Sequence, residues 1–193
     1  MAKAQAVSAI GQTVLGLLAD NIPKNDFPNA RFELYQPPDF QSPMDEGVSL
    51  FLYRVEINAG LRNIPNQTGL DGITRRSPLP LDLHYLLTVW AKDVVKQQRI
   101  LGLVMQTLFD APVLSAERLN NFGPEQDVFR PNETIEITFN SLSLQDVSNL
   151  WSAFKVSLPV SIGYIARVVG IDSTIPVEET APVQTREFNF AKT

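Results

Sequence analysis

Apolar and polar positions alternate through Leu81, Asp82, Leu83, His84, Tyr85, Leu87, Thr88 and Val89, a period of two that predicts a β-strand. Its second face turns apolar at Leu86 and Trp90, so the strand should run from an exposed rim into the middle of a sheet. Pro78 and Pro80 cannot donate to a ladder, so pairing is expected to begin near Leu81. After Ala91 the period changes to that of a helix. Val94, Ile100, Leu101, Leu103, Val104, Met105 and Leu108 share one broad face, Asp93 stands at the N-cap, and Ala111-Pro112 end the repeat. Gly102 inside this helix costs about 1 kcal/mol against alanine, and a close approach to the sheet would account for it.

The same reading applied in chain order gives a first amphipathic helix over about 4–19, stopped by Pro23, and a short strand over 31–35. Pro37, Pro38 and Pro43 predict an extended connector. Residues 48–57 form a second strong strand beside the first, with Phe51, Tyr53, Val55 and Ile57 on one face and Val48, Leu50 and Leu52 on the other. Residues 58–77 form a long connection, either a mobile hairpin tip or a surface loop that orders against a partner. Residues 114–125 have loop chemistry, and 133–141 form a one-sided strand with Ile135, Ile137 and Phe139 inward. Ser143 and Asp146 open a short helix bearing Leu144, Val147, Leu150, Trp151 and Phe154. A last strand over 160–169 places Val160, Ile162, Tyr164, Ala166 and Val168 on one face, with Ile165 and Val169 on the other. If it shares a sheet with 133–141, the connection would be a right-handed parallel crossover, for which the intervening segment is short. The expected fold class is α+β, with a mixed sheet of about four or five strands and helices packed on one face.

The domain is expected over 1–172, followed by an extended arm over 173–193. In the arm, Pro176 and Pro182 precede an alternating Thr185-Arg186-Glu187-Phe188-Asn189-Phe190, either a last edge strand at home or a strand laid on a neighbour's sheet.

Composition narrows the function classes. A chain of 193 residues with 44% hydrophobic residues can bury a sizeable core. Cysteine is absent, which removes disulfides, thiolate metal sites and cysteine nucleophiles. A formal net charge of -5, with no basic run, argues against nucleic-acid binding. Residues 4–19 have helical spacing rather than the uniform apolar run of a signal peptide, and no segment approaches the roughly 20 apolar residues that cross a bilayer. A protein made in the cytoplasm without a membrane partner is the expectation.

Catalytic chemistry finds little to hold. His84 is the only histidine, paired on its strand face with Asp82, with no serine in a nucleophile elbow nearby; a partly buried hydrogen-bonding histidine is the reading. Zinc sites built on histidine are excluded by the same scarcity. Gly60, Gly69 and Gly72 lack the spacing of a phosphate loop, and Asp45-Glu46 and Glu178-Glu179 read as solvated charges. No enzyme, metal or cofactor is expected.

Two stretches together carry a resemblance. Ser49-Leu50-Phe51-Leu52-Tyr53-Arg54-Val55-Glu56-Ile57-Asn58 with Leu61-Arg62-Asn63 is the first. The second is Pro78-Leu79-Pro80-Leu81-Asp82-Leu83-His84-Tyr85-Leu86-Leu87, leading to Ile100-Leu101-Gly102 and Asp110-Ala111-Pro112-Val113-Leu114. With the first helix, they resemble the cap protein family of extracellular contractile injection systems over most of 4–169. Ala59-Gly60 departs from it where a proline is expected near the asparagine. The resemblance implies a non-enzymatic subunit, similar in role to phage tail terminators. Such a subunit would form a hexameric ring on the baseplate-distal end of the tube and sheath, assembled in the cytoplasm into a particle that is then released. Its partners would be sheath and inner-tube subunits and other copies of itself, with Leu61, Arg62, Arg75, Arg76, Arg186, Phe188 and Phe190 as candidate interface residues. The competing class is a small adaptor or ligand-binding α+β module with no polymer partner.

Overall fold

The computed structural model describes residues 2–61, 65–68, 72–123 and 125–177. The first amphipathic repeat forms α1 (Ala6–Asn21), which buries Ala6, Ala9, Ile10, Val14, Leu17 and Leu18 and ends where Ile22 turns extended before Pro23. Strand β1 (Arg31–Leu34) pairs in parallel with β2 (Gly47–Ile57). The proline-rich connector between them is not extended: Pro37–Gln41 wind into a 3-10 turn whose N-terminal end is tied by the Asp39 carboxylate accepting from the Gln36 N–H. Proline at the first helical positions needs no donor, which is why two of them start a turn here.

Beyond β2 a small antiparallel ribbon of β3 (Gln67–Thr68) and β4 (Thr74–Arg75) leads into β5 (Leu79–Trp90), the predicted central strand. The ladder includes Leu79 and Pro80, two residues earlier than expected, because Pro80 contributes its carbonyl, accepting from the Asn58 N–H, where no donor is required. Helix α2 (Val94–Asp110) starts at the predicted cap, with the Asp93 carboxylate accepting from the Lys96 N–H at 2.8 Å. The stretch expected to be loop instead forms β6 (Val113–Ser115) and α3 (Ala116–Phe122), which is started by Ser115 as N-cap and buries Ala116 and Leu119. Strand β7 (Thr134–Phe139), α4 (Leu144–Phe154) and β8 (Ser161–Ile171) complete the chain, with Ser143 capping α4 as predicted.

The sheet has six strands in the order β1-β2-β5-β8-β7-β6, mixed through the single parallel β1–β2 pair. This exceeds the predicted count because β6 is too short to announce itself. Strands β7 and β8 are antiparallel neighbours, so α4 is carried in a hairpin connection and no parallel crossover joins these two strands. Nor are helices confined to one face. Odd positions of β5 (Leu83, Tyr85, Leu87, Val89) join the core beneath α1, α2 and α3. Even positions Leu86 and Trp90 meet Tyr35, Phe40, Met44 and Trp151 on the opposite face, which α4 and the 3-10 turn cover.

Two bulges displace the predicted faces. In β2 the register steps from Leu52 to Arg54, so Tyr53 is the extra residue. Phe51 and Tyr53 therefore stay with the aromatic cluster, while Val55 and Ile57 cross to the face of Leu83 and Leu81 and remain exposed. In β8, Arg167 and Val168 both stand opposite Asp82. Val168 takes φ 57°, a conformation unusual for a β-branched residue, and its N–H donates to Asp82 Oδ1 at 2.9 Å. The other Asp82 oxygen accepts from Asn58 Nδ2 at 3.0 Å. The bulge turns Val168 outward and buries Val169 completely, the reverse of what simple alternation predicts.

Gly102 faces open space, so no approach to the sheet explains it; the close approach is made by Gly16, where a Cβ would come within 2.2 Å of the Phe122 ring.

All four tyrosines, Tyr35, Tyr53, Tyr85 and Tyr164, have pKa values raised above the ordinary 10.0, primarily by burial, which penalises the phenolate. The unfolded chain ionises first as pH climbs. Stability linked to these groups is therefore complete below pH 10 and declines as pH rises through the folded-state values. In an alkaline titration, near-ultraviolet tyrosinate absorbance should lag that of the denatured chain and then rise with the loss of near-ultraviolet circular dichroism. Four phenols titrating independently near pH 10 would contradict this burial.

Candidate interaction site

Leu61, Arg75 and Arg76 lie in the connection between β2 and β5, whose described residues form a turn and a short ribbon rather than a structureless loop. It leaves β2 through a 3-10 turn, Ala59–Leu61, where the Gly60 N–H donates to Asn58 Oδ1, and Leu61 ends that turn half-buried. Thr68 and Thr74 hydroxyls meet at 3.0 Å across the β3–β4 ribbon, and Asn66 Oδ1 accepts from the Ser77 N–H. Arg75 sits in β4 and Arg76 follows it exposed. Arg62 lies outside the described residues, as do Arg186, Phe188 and Phe190.

The structure joins two segments that the sequence treats separately. The Arg76 N–H donates to the Ile175 carbonyl, Arg75 bridges Pro176, and the Val177 N–H donates to the Thr74 carbonyl. The long connection and the root of the expected arm thus form one clasp. Beside it, Arg130 pairs with Asp172 at 2.7 Å, and Ala2 is zipped to both Gly170 and Asp172 by backbone hydrogen bonds.

A second surface was not anticipated. Between the C-terminal half of α2 and β7 runs a groove of about 640 Å³, floored by Leu108, Ile137 and Tyr164 and walled by Met105, Phe109 and Phe139. Phe109 is 83% exposed and Phe139 56%. Phe139 follows the alternation of Ile135 and Ile137 toward the helical face, but α2 ends at Asp110 and leaves its ring uncovered except for an edge-to-face contact with Tyr164 at 6.2 Å. The predicted inward position is therefore only half right. Large exposed aromatic rings at adjoining places are the kind of apolar patch that marks an interaction surface. The signal available in the sequence was Phe109, the last apolar residue of its helix, followed immediately by Asp110.

The groove also opens onto a free sheet edge. The Asn140 N–H donates to Gly163 on β8, while the Ile137 N–H donates the other way, to the Pro112 carbonyl at 2.7 Å. Alternation along the strand then directs the Phe139 N–H and C=O away from β8, past the point where β6 begins. No strand lies opposite them among the described residues.

His84 is held rather than poised. Its Nε2 meets Glu56 Oε2 at 3.0 Å, its Nδ1 faces Asn140 Nδ2 at 3.4 Å, and the Tyr53 ring packs edge-on at 6.0 Å. The expected Asp82 partner is engaged instead in the β8 bulge. Among the described residues no cluster of histidines and carboxylates could hold a metal ion, and no helix is long and apolar enough to cross a membrane.

The family model of the Pvc16 N-terminal domain matches residues 9–185. Among solved structures, the sheath/tube terminator of an extracellular contractile injection system, PVC, in its extended state shares the fold. The TM-score is 0.64 at 15% identity, over 97% of this chain and 64% of that one. The tube-terminating cap of the anti-feeding prophage aligns with a TM-score of 0.56 at 20% identity, over 91% of this chain and 58% of that one. The chain thus spans less than two thirds of the length of either. No curated protein sequence matches it.

Proposed function

We propose that this chain, which belongs to the Pvc16 N-terminal domain family, is a structural cap subunit. It closes the baseplate-distal end of the tube and sheath of a contractile particle and so ends their polymerisation. The observation that carries this reading is the fold shared along 97% of the chain with a sheath/tube terminator, on top of the family match. A terminator has to bind the last polymer layer while refusing the next, which is work for surfaces rather than for a reactive centre. In this reading the chain is not an enzyme, and His84 braces the sheet.

The working assembly is a hexameric ring. A ring subunit repeats one heterologous contact from copy to copy, so it needs two different lateral surfaces and a third for the polymer end. The clasped connection carrying Leu61, Arg62, Arg75 and Arg76 is the candidate for the polymer end. Residues 173–193 act as an arm, with Arg186, Phe188 and Phe190 as contacts to a neighbour. Assembly takes place in the cytoplasm, before the particle is released.

The test is negative-stain microscopy of particles assembled with and without the chain, scoring tube and sheath length. Overlong or ragged tubes in its absence are expected. An unchanged length distribution would sink the cap reading and favour an adaptor without a polymer partner.

A further inference from the structure

We propose that the groove between α2 and β7 receives residues 185–190 of a neighbouring copy of this chain, added as a strand at the open edge beside Phe139. The receiving surface supplies both things that strand addition needs. The Phe139 N–H and C=O face outward without a backbone partner among the described residues, and the adjoining groove offers apolar walls at Met105, Phe109 and Phe139.

The occupant is identified by its pattern. In 185–190, Arg186, Phe188 and Phe190 recur at a period of two, so an extended strand presents both rings on one side, with Thr185, Glu187 and Asn189 on the other. Two phenylalanine rings suit a groove of about 640 Å³ already edged with aromatic side chains. Glu136 at its rim supplies a negative charge for Arg186.

Reach selects the neighbour over the same chain. The described chain ends at Val177, held to Thr74 beyond the Ile171 end of β8, whereas Phe139 pairs with Tyr164 near the other end of that strand. Tyr164 to Ile171 alone spans about 23 Å at 3.3 Å per residue. The eight steps from Val177 to Thr185 extend at most about 26–29 Å. Laid antiparallel to β7 in its own groove, the segment would enter from the far side of Phe139, which takes Thr185 to or past the end of that reach. A neighbour's groove is free of that limit, and each copy then donates one segment and accepts one.

The chain contains no cysteine, so introduced thiols report on this contact alone. Copies carrying Phe139→Cys are mixed under oxidising conditions with copies carrying Phe188→Cys, or Phe190→Cys to allow for register, and read on non-reducing gels. Leu144→Cys, exposed on α4, replaces Phe139→Cys as the control. Millimolar effective concentration in the docked pair, against micromolar protein, makes the mixed dimer form about a hundredfold faster than in the control. A rate equal to the control overturns the proposal. So does a chain bearing both Phe139→Cys and Phe188→Cys that closes on itself when dilute, which would place the segment in its own groove. The experiment uses the purified chain without tube or sheath, so its failure is separable from failure of the cap reading.

Discussion

Replacing Trp151 with alanine should lower the unfolding free energy by about 3–5 kcal/mol, the range for deleting a large buried aromatic side chain. Trp151 is 1% exposed and is the residue by which α4 holds the sheet. Its ring meets Phe40 edge-to-face at 5.0 Å, Phe154 at 5.7 Å and Trp90 at 6.3 Å, joining the helix to the 3-10 turn and to the central strand. Removing it opens a cavity among residues from three separate segments, none of which can move in without abandoning another contact. Trp151→Phe should cost far less. The indole Nε1 is buried with no hydrogen-bond partner among the described residues, so phenylalanine sheds an unsatisfied donor while keeping most of the apolar contact. Denaturant titration of the pair, read by near-ultraviolet circular dichroism, checks this. Equal losses for both substitutions would show that the cluster is not organised around this ring.

Gly47→Ala should be nearly as damaging, by on the order of 3 kcal/mol, because left-handed strain and a backbone clash coincide. Gly47 has φ 142°, and a Cβ there would stand 2.0 Å from the Arg31 carbonyl oxygen and 2.6 Å from its nitrogen. Those atoms belong to the parallel partner strand, so the sheet must part at β1 to make room. Hydrogen exchange at Arg31–Leu34 should accelerate before the rest of the sheet responds. Gly102→Ala provides the opposite sign: the site is an open helical position, and the substitution should stabilise by about 0.5–1 kcal/mol. Unaltered protection of β1 in the Gly47 variant would refute the argument.

Periodicity located α1, β2, β5, α2, β7, α4 and β8 because each carries enough residues for its repeat to be counted. Three-residue β6 and seven-residue α3 fell below that length, and a polar residue within 114–125 proved useful inside a helix: Asn120 both donates to and accepts from the Phe129 backbone. Faces were misassigned wherever a bulge intervened. A single extra residue at Tyr53 or Val168 reverses every side chain beyond it, and nothing in the local alternation of β8 announces that Asp82, some eighty residues earlier, will fix the reversal. The groove was illegible for a related reason. Phe139 has the right parity for burial, and only the length of α2, set by Asp110-Ala111-Pro112, leaves it uncovered. The family, by contrast, was legible early, since its resemblance rests on β2 and β5, the strands that pair most extensively.

Strand order in the sheet has a consequence for how the chain comes off the ribosome. β5 sits between β2, finished some twenty residues before it, and β8, which begins seventy residues after it. Throughout that interval of translation β5 has one ladder open along its whole length, and β7 has no inner neighbour. Pairing across so many residues is slow, and an apolar strand with an unpaired edge is sticky. Premature stops before Ser161, which leave both edges unpaired, should therefore yield insoluble product rather than a smaller folded domain.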